Sequence, residues 1–167
     1  MQIRSGNAPI KTVYQGIKEL LPHAEVIYKK GCDIIDPHFP ESEILDFPKT
    51  AEEVRLMQEV IRAAKQAEVV VMVLGGNELT VREDRSRTSL NLPGRQEELL
   101  KAVCATGKPV ILVMLDGRAS SINYAAAHVP AIFMLGFPEN FADKLWPKPF
   151  SAIIIRGEDW QLLFLNL

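Results

Sequence analysis

The sequence has little cysteine, little net charge and no long apolar run. Cys32 and Cys104 lie far apart and outside any C-x-x-C spacing, which argues against a zinc site of the usual spacing. We expect Cys32 to be a loop thiol and Cys104 to be buried on a helix. The net charge of −2, without a basic cluster on any predicted helix, makes nucleic acid an unfavourable partner.

Membrane and metal signals are also missing from the sequence. No apolar run approaches the roughly 18 residues that span a bilayer, and the N-terminal residues lack the apolar region of a signal peptide. We therefore expect no membrane partner and can assign no compartment. The histidines His23, His38 and His128 have no partner at metal or triad spacing, so they are expected at the surface and no metal site is predicted.

The composition is that of one ordinary domain, with 167 residues of which 47% are hydrophobic and 24% charged. Thr50 and Glu53 form a capping box that predicts a helix start, and Pro93 predicts the first turn of another helix that ends at Gly107. Uninterrupted apolar runs at residues 69–74 and 109–115 are typical of strands buried on both faces. Further helices are predicted over 11–21 and 121–127, and further strands over 24–28 and from Pro130 onward.

This alternation predicts an α/β domain, a three-layer α/β sandwich with a mainly parallel sheet and right-handed crossovers. Residues 31–49 contain three prolines and no sustained period, so they are predicted to form a long irregular connection. In open α/β sheets ligands bind beyond the carboxyl ends of the strands, which directs attention to the segment after Leu74.

That segment, GGNELTVREDRSRTSLNLPGRQEELL, is the most polar stretch of the chain. Gly75-Gly76 allows a tight exit from the strand but is not a G-x-G-x-x-G fingerprint, and no helix is predicted beside it to bind a pyrophosphate. From the residues alone, the loop is either a solvated charged loop with local ion pairs or the carrier of a catalytic acid.

Four ordered motifs resemble the C-terminal α/β-sandwich domain of glycoside hydrolase family 3, as found in bacterial β-glucosidase and β-xylosidase-like members. They are AEVVVMVLGG, E-D-R-S-R-T-S-L-N-L-P-G, QEELLKAV and TGKPVILVMLDGR. The second is similar to the family's E-x-x-x-R-x-x-L-x-L-P-G, whose first glutamate is the general acid/base. The resemblance places that role on Glu83 and implies neither a metal nor an organic cofactor.

Other residues of the loop have alternative or supporting roles. Glu78 and Asp84 are rivals for the acid/base, because the start of the loop departs from the family's commoner Gly-Glu form. Arg85 and Arg87 are predicted to shape the loop by donating to carboxylates or backbone carbonyls. Asp116-Gly117-Arg118 resembles the family's strand-end turn, where its role is backbone geometry.

The resemblance also predicts where the family's features stop. Residues 1–132 are assigned to the family domain, with its first strand missing, so that the sandwich is incomplete at both ends. Reading permitted codons from Phe133 in another frame restores a family-like sequence, F-G-D-Y-N-P-G-G, so we predict a one-base frameshift near Ile132 and an out-of-frame tail over 133–167. The family's nucleophile lies on a separate (β/α)8 barrel of ~200 residues or more, which is not in this sequence.

The expected function is therefore half of a retaining exo-β-glycosidase, with a β-linked glucoside or xyloside as substrate, and the isolated chain is expected to be inactive. The alternative is a non-catalytic carbohydrate-binding or partner-docking module. A flavodoxin-like nucleotide-binding domain is the third possibility, and it would require phosphate to protect residues 75–80. Relatives in the family are often periplasmic or secreted, but nothing in this sequence indicates a compartment.

Overall fold

The computed structural model describes residues 12–81, 83 and 86–136, together with the backbone of residues 151–156. Everything below concerns these residues. In the first half of the chain the elements are α1 Val13–Leu20, β1 Glu25–Lys30, a 3-10 turn Glu41–Glu43 and α2 Ala51–Lys65. In the second half they are β2 Val69–Gly75, α3 Glu78–Val81, α4 Gln96–Cys104, β3 Val110–Leu115, α5 Asn123–His128, β4 Ala131–Leu135 and β5 Ser151–Arg156.

The predicted capping box at the start of α2 is confirmed. The Glu53 N–H donates to Thr50 Oγ1 at 3.2 Å, and the Thr50 N–H donates to Glu53 Oε2 at 2.7 Å. An equivalent box at Thr12 and Gln15 starts α1. α4 begins at Gln96, three residues later than Pro93 suggested, because Gly94 adopts a positive φ of 58° and interrupts the helical path.

The five strands form one sheet in the order β1-β5-β2-β3-β4. β2, β3 and β4 are parallel, whereas β5 is antiparallel to both β1 and β2. β1 therefore points the same way as β2. Since β1 to β4 share one direction, their last residues meet along one side of the sheet, which we call the carboxyl edge.

The helices cover the sheet as an α/β sandwich. The connections β2–α4–β3 and β3–α5–β4 step in the same direction across the sheet, and α4 contacts α5, so both helices lie on one face, as right-handed crossovers would place them. α2 contacts α4 and continues that layer, while α1 contacts β1. All seven residues of β2 are buried, which requires both faces of this strand to be covered. The α/β fold with a mainly parallel sheet agrees with the sequence prediction.

The predicted boundary at Ile132 falls inside β4. This strand continues through Leu135 in register with β3, and Ser151–Arg156 pairs with two strands in the middle of the sheet. Residues 137–150 and 157–167 lie outside the described residues, as do residues 1–11. The frame assignment and the proposed loss of a first strand therefore stay predictions.

Both cysteines have the predicted location, Cys32 in a loop and Cys104 on α4, but Cys104 is less buried than expected. Cys32 is 2% exposed and belongs to the hydrophobic core, whereas Cys104 is only half-buried. Cys32 is buried because it lies two residues after β1, where the chain still packs beneath α2 and α4. Burial raises the pKa of the Cys32 thiol to about 12, so this side chain behaves as a small apolar residue. Among the described residues, no helix has the length and apolar character needed to cross a membrane.

Candidate functional site at the carboxyl edge

The backbone at the end of β2 lies unusually close to the end of β3. Gly75 has φ 143°, and a Cβ placed there would lie 1.9 Å from the carbonyl oxygen of Leu115. The next residue, Gly76, donates its N–H to the same Leu115 oxygen at 3.0 Å. Only glycine fits such an approach, so the Gly75-Gly76 pair serves the junction of the two strands rather than a phosphate.

A short helix, α3, follows the two glycines, and the prediction that no helix begins there was wrong. Asn77 caps it, since the Leu79 N–H donates to Asn77 Oδ1 at 2.9 Å and the Asn77 N–H donates to Thr80 Oγ1 at 2.8 Å. The reason is local: these side-chain bonds hold one turn that has no apolar periodicity of its own. With only four residues, α3 positions the loop and offers no anion site.

Glu83 lies two residues beyond the end of α3, at the carboxyl edge, and its side chain is exposed. Its rival Glu78 is also exposed, on the first residue of α3. The other rival, Asp84, and the predicted supporting residue Arg85 lie outside the described residues. Glu78 and Glu83 are thus both exposed on the short segment that follows β2.

Arg87 is tied down on both sides. Its Nε donates to Glu43 Oε1 at 2.5 Å, and its Nη2 donates to the carbonyl oxygen of Asn91 at 2.7 Å. These are a carboxylate and a backbone carbonyl, the two kinds of acceptor that the sequence suggested. The Arg87 and Glu43 side chains are only 8% and 7% exposed. That Arg87 supports catalysis by shaping the loop stays a prediction.

A buried glutamine joins the loops of the carboxyl edge. Gln96 is 0% exposed. Its Oε1 accepts from the Gly75 N–H at 2.8 Å, and its Nε2 donates to the oxygens of Gly75 at 2.8 Å and Ile34 at 3.1 Å. The side chain therefore fastens the end of β2 to the loop that follows β1. Close packing at Gly94, where a Cβ would lie 3.0 Å from the Ile34 oxygen, brings α4 into place.

Two buried aspartates at this edge are already used by their own turns. Asp36 accepts from the His38 N–H at 2.9 Å and from Ser42 Oγ at 2.6 Å. Asp116 accepts from the Arg118 N–H at 3.1 Å and from Ser120 Oγ at 2.5 Å. Each carboxylate shapes a loop, the kind of role that the resemblance implied for the 116–118 turn.

A cavity of about 320 Å³ opens between the loop after β1 and the loop before α4. Its charged lining residues are Asp36, Glu43, Asp46, Arg87 and Arg95. Most are engaged with one another or with nearby groups; Arg95, for example, donates to the Phe47 oxygen at 2.6 Å and to Glu53 Oε1 at 3.4 Å. The volume is at the lower end of small-ligand sites.

Two glutamates at this cavity, Glu43 in its lining and Glu53 beside Arg95, have lowered pKa values. Burial acts to raise the pKa of Glu43, but hydrogen bonds from the Thr88 N–H and from Arg87 outweigh it and hold that pKa below its usual range. Burial opposes the shift of Glu53 as well, and its bonds to Thr50 together with Arg95 lower its pKa in the same way. Both groups are therefore anionic near neutral pH.

Two of the three histidines stack on aromatic rings. His38 stacks on Phe47 with ring centroids 4.1 Å apart, and His128 stacks on Tyr124 at 4.1 Å. Within the described ranges, no group of His, Cys, Asp or Glu side chains is arranged to hold a metal ion.

Sequence reasoning missed Glu43 and Gln96. Gln96 lies on the apolar stripe of its helix, three residues before Leu99 and four before Leu100. A polar residue on such a stripe is a usable signal of a buried hydrogen-bonding role. Glu43 had no comparable signal, because it lies in an aperiodic loop whose partner, Arg87, is 44 residues away.

A family model and two curated proteins match most of this chain. The family model described as "Glycosyl hydrolase family 3 C-terminal domain" matches residues 2–144. A β-xylosidase from Formosa agariphila is 40% identical over 122 residues, which cover 72% of this chain and 15% of that protein. A periplasmic β-glucosidase from Salmonella typhimurium is 36% identical over 117 residues, covering 64% of this chain and 15% of that protein.

The fold has a solved counterpart as well. The structure of a β-glucosidase from Erythrobacter marinus superimposes with a TM-score of 0.57 and 33% identity, over 72% of this chain and 18% of that one. The chain thus spans about 15% of the length of the curated relatives it matches.

Proposed function

Because the chain belongs to the glycosyl hydrolase family 3 C-terminal domain family, we propose that it contributes the general acid/base of a retaining exo-β-glycosidase. Glu83 protonates the glycosidic oxygen as the aglycone leaves and the sugar bonds to the nucleophilic carboxylate, and it then removes a proton from the water that releases the sugar. The substrate is a β-linked glucoside or xyloside, in keeping with the names of the relatives from Salmonella typhimurium and Formosa agariphila. No cofactor takes part.

The observation that carries this proposal is the position of Glu83. A glutamate that donates a proton to a bound sugar must stand at a surface open to substrate, and Glu83 is exposed beyond the end of α3 at the carboxyl edge. The capped turn of α3 fixes the chain before Glu83, and the contact between Arg87 and Glu43 fixes the chain after it. An acid on an exposed segment with two fixed ends can be aimed at a partner surface.

Retaining glycosidases also need a nucleophilic carboxylate ~5–5.5 Å from the acid. Asp36 and Asp116, the buried carboxylates of the carboxyl edge, are bound within their own turns. We therefore place the nucleophile on a separate barrel domain that docks at this edge. The exposed apolar side chains of Ile44, Leu45 and Leu90 support such docking, because they stand beside the cavity and the Glu83 loop.

The cavity of about 320 Å³ favours one alternative, a carbohydrate-binding module without catalysis. Its lining of carboxylates, guanidinium groups and amide or hydroxyl side chains is of the kind that binds sugar hydroxyls. In that case the chain binds a monosaccharide by itself, and substitution of Glu83 leaves binding unchanged.

We expect the isolated chain to show no measurable hydrolysis of phenyl β-glucoside or phenyl β-xyloside, because removing one member of a catalytic pair costs several orders of magnitude. The measurement is release of phenol, with Glu83→Gln as the matched control and calorimetric titration of glucose, xylose and cellobiose in parallel. Robust hydrolysis that disappears in Glu83→Gln would show that the chain carries its own nucleophile. Tight sugar binding without hydrolysis, unaltered in Glu83→Gln, would favour the binding module.

A further inference from the structure

We propose that Glu43 is a positioning residue for the loop that carries Glu83. It lies on the 3-10 turn Glu41–Glu43, in a loop that precedes β2 in the chain, and it acts through Arg87 and Thr88 rather than through substrate. This role rests on the function proposed above for Glu83, although the contacts of Glu43 can be tested without any activity.

Both carboxylate oxygens of Glu43 are committed to the segment after Glu83. Oε1 accepts from Arg87 Nε at 2.5 Å, while Oε2 accepts from the Thr88 N–H at 2.8 Å and from Thr88 Oγ1 at 3.1 Å. The bond to the backbone N–H fixes main-chain position, which a side-chain ion pair alone would not do. The pair is shielded from water, with the Arg87 and Glu43 side chains 8% and 7% exposed.

The turn that carries Glu43 is itself firmly held. The Glu43 N–H donates to the Pro40 oxygen at 3.1 Å, and the neighbouring Ser42 hydroxyl donates to Asp36 Oδ2 at 2.6 Å. Asp36 is buried, and its N–H stands close to Gly94, beside the start of α4. Because its own turn is fixed in place, Glu43 can hold Arg87 and Thr88 at a fixed position relative to the sheet.

Fixing Arg87 and Thr88 also restricts Glu83, because only a few residues separate them along the chain. Arg87 is four residues after Glu83, and Arg87 Nη2 also closes the turn by donating to the Asn91 oxygen at 2.7 Å. Four residues span at most about 14 Å, so fixing Arg87 and Thr88 limits where the carboxyl group can travel. Without Glu43, Arg87 and Thr88 would lose the hydrogen bonds that join them to the loop after β1.

The ionisation of Glu43 agrees with this arrangement. Burial disfavours its anionic form, yet the donors on Thr88 and Arg87 together hold the pKa of this carboxyl below its usual range. Replacing it with neutral glutamine removes the charge and turns an amide N–H₂ toward donors, leaving the Arg87 charge buried without its partner.

The first test is hydrogen exchange of the chain. In Glu43→Gln we expect the Thr88 amide and its neighbours in residues 86–91 to exchange about ten-fold faster or more, since a hydrogen bond to a charged group is lost. Amides of β2 and β3 should be unchanged. Glu41→Gln, an exposed glutamate on the same 3-10 turn, is the matched control and should leave residues 86–91 unaffected.

Arg87→Lys is the second variant, in case Glu43→Gln does not fold. It keeps the positive charge but loses the guanidinium geometry that reaches both Glu43 and Asn91, so the same amides should exchange faster by a smaller factor. Unaltered exchange of residues 86–91 in whichever variant folds would overturn the anchoring, whatever the activity of the protein.

A positioning role for Glu43 differs from a merely structural one in how the loss of activity depends on the leaving group. The measurement needs an enzyme that contains this domain together with the nucleophile-bearing domain. A phenyl β-glycoside needs acid assistance, whereas a dinitrophenyl β-glycoside does not. We expect Glu43→Gln to lower kcat/KM, which reports formation of the glycosyl-enzyme, by about ten-fold or more on the phenyl substrate relative to the dinitrophenyl substrate. Equal losses on both substrates would overturn positioning. If Glu83→Gln itself shows no leaving-group dependence, the proposed function fails, and Glu43 anchoring is then decided by exchange alone.

Discussion

Glu83→Gln is expected to lower kcat on a phenyl β-glycoside by a factor of about 10² to 10⁴, in an enzyme that contains this domain together with the nucleophile-bearing domain. Glutamine keeps the size and hydrogen-bonding shape of the side chain but cannot deliver a proton. The loss should shrink strongly for a dinitrophenyl β-glycoside in the step that forms the glycosyl-enzyme, because that leaving group departs without protonation. Burst kinetics with both substrates measure the two steps separately.

Azide provides a further check on Glu83, since an anionic nucleophile needs no general base. With the dinitrophenyl substrate, added azide should restore turnover in Glu83→Gln and produce a β-glycosyl azide, and it should have little effect on the unsubstituted enzyme. Glu78→Gln is the matched control, as Glu78 is exposed on the same segment. If Glu78→Gln shows the leaving-group dependence and Glu83→Gln does not, the acid/base role belongs to Glu78.

Gln96→Leu is expected to destabilise the folded chain by about 3 kcal/mol or more. Leucine fills nearly the same volume, but it removes the partner of the Gly75 N–H and one partner each of the Gly75 and Ile34 oxygens. A buried polar group left without a partner costs about 1–3 kcal/mol, and the Gly75 N–H is the group most affected. Urea unfolding followed by circular dichroism measures the change in the free energy of unfolding.

The control for Gln96 is Gln58→Leu, the same chemical change at an exposed position of α2, which should alter stability by no more than about 0.5 kcal/mol. Hydrogen exchange adds a local measurement, because loss of the Gln96 bonds should loosen residues 31–36 in addition to lowering overall stability. A loss below about 1 kcal/mol in Gln96→Leu would mean that these contacts are replaced by others.

Much of the fold could be predicted because its signals are local. The apolar runs that form β2 and β3 can be buried only inside a sheet covered on both faces, and the Thr50 capping box starts α2 within one turn of the chain. The parallel direction of the sheet followed from the helices between the strands. The α3 turn was missed because its signal is two side-chain bonds from Asn77 and Thr80 rather than an apolar period.

The site was only partly predictable. The position of Glu83 beyond a buried strand agrees with a loop at the carboxyl edge, and its family motif was visible in the letters of the sequence. Glu43 and Gln96 hold that edge together, yet Glu43 is 44 residues from Arg87 and Gln96 is 62 residues from Ile34. Contacts of such separation leave no periodic trace in a single sequence.

Local chemistry therefore predicted most of the helices and strands and the parallel direction of the sheet, whereas the candidate acid at position 83 came from the family resemblance. Tertiary structure alone decided which loops meet, that β5 lies antiparallel between β1 and β2, and that Cys32 rather than Cys104 is buried in the core. The physical reason is that hydrogen bonds and burial between distant segments depend on how the chain closes in three dimensions, whereas capping, apolar period and glycine turns act within a few residues.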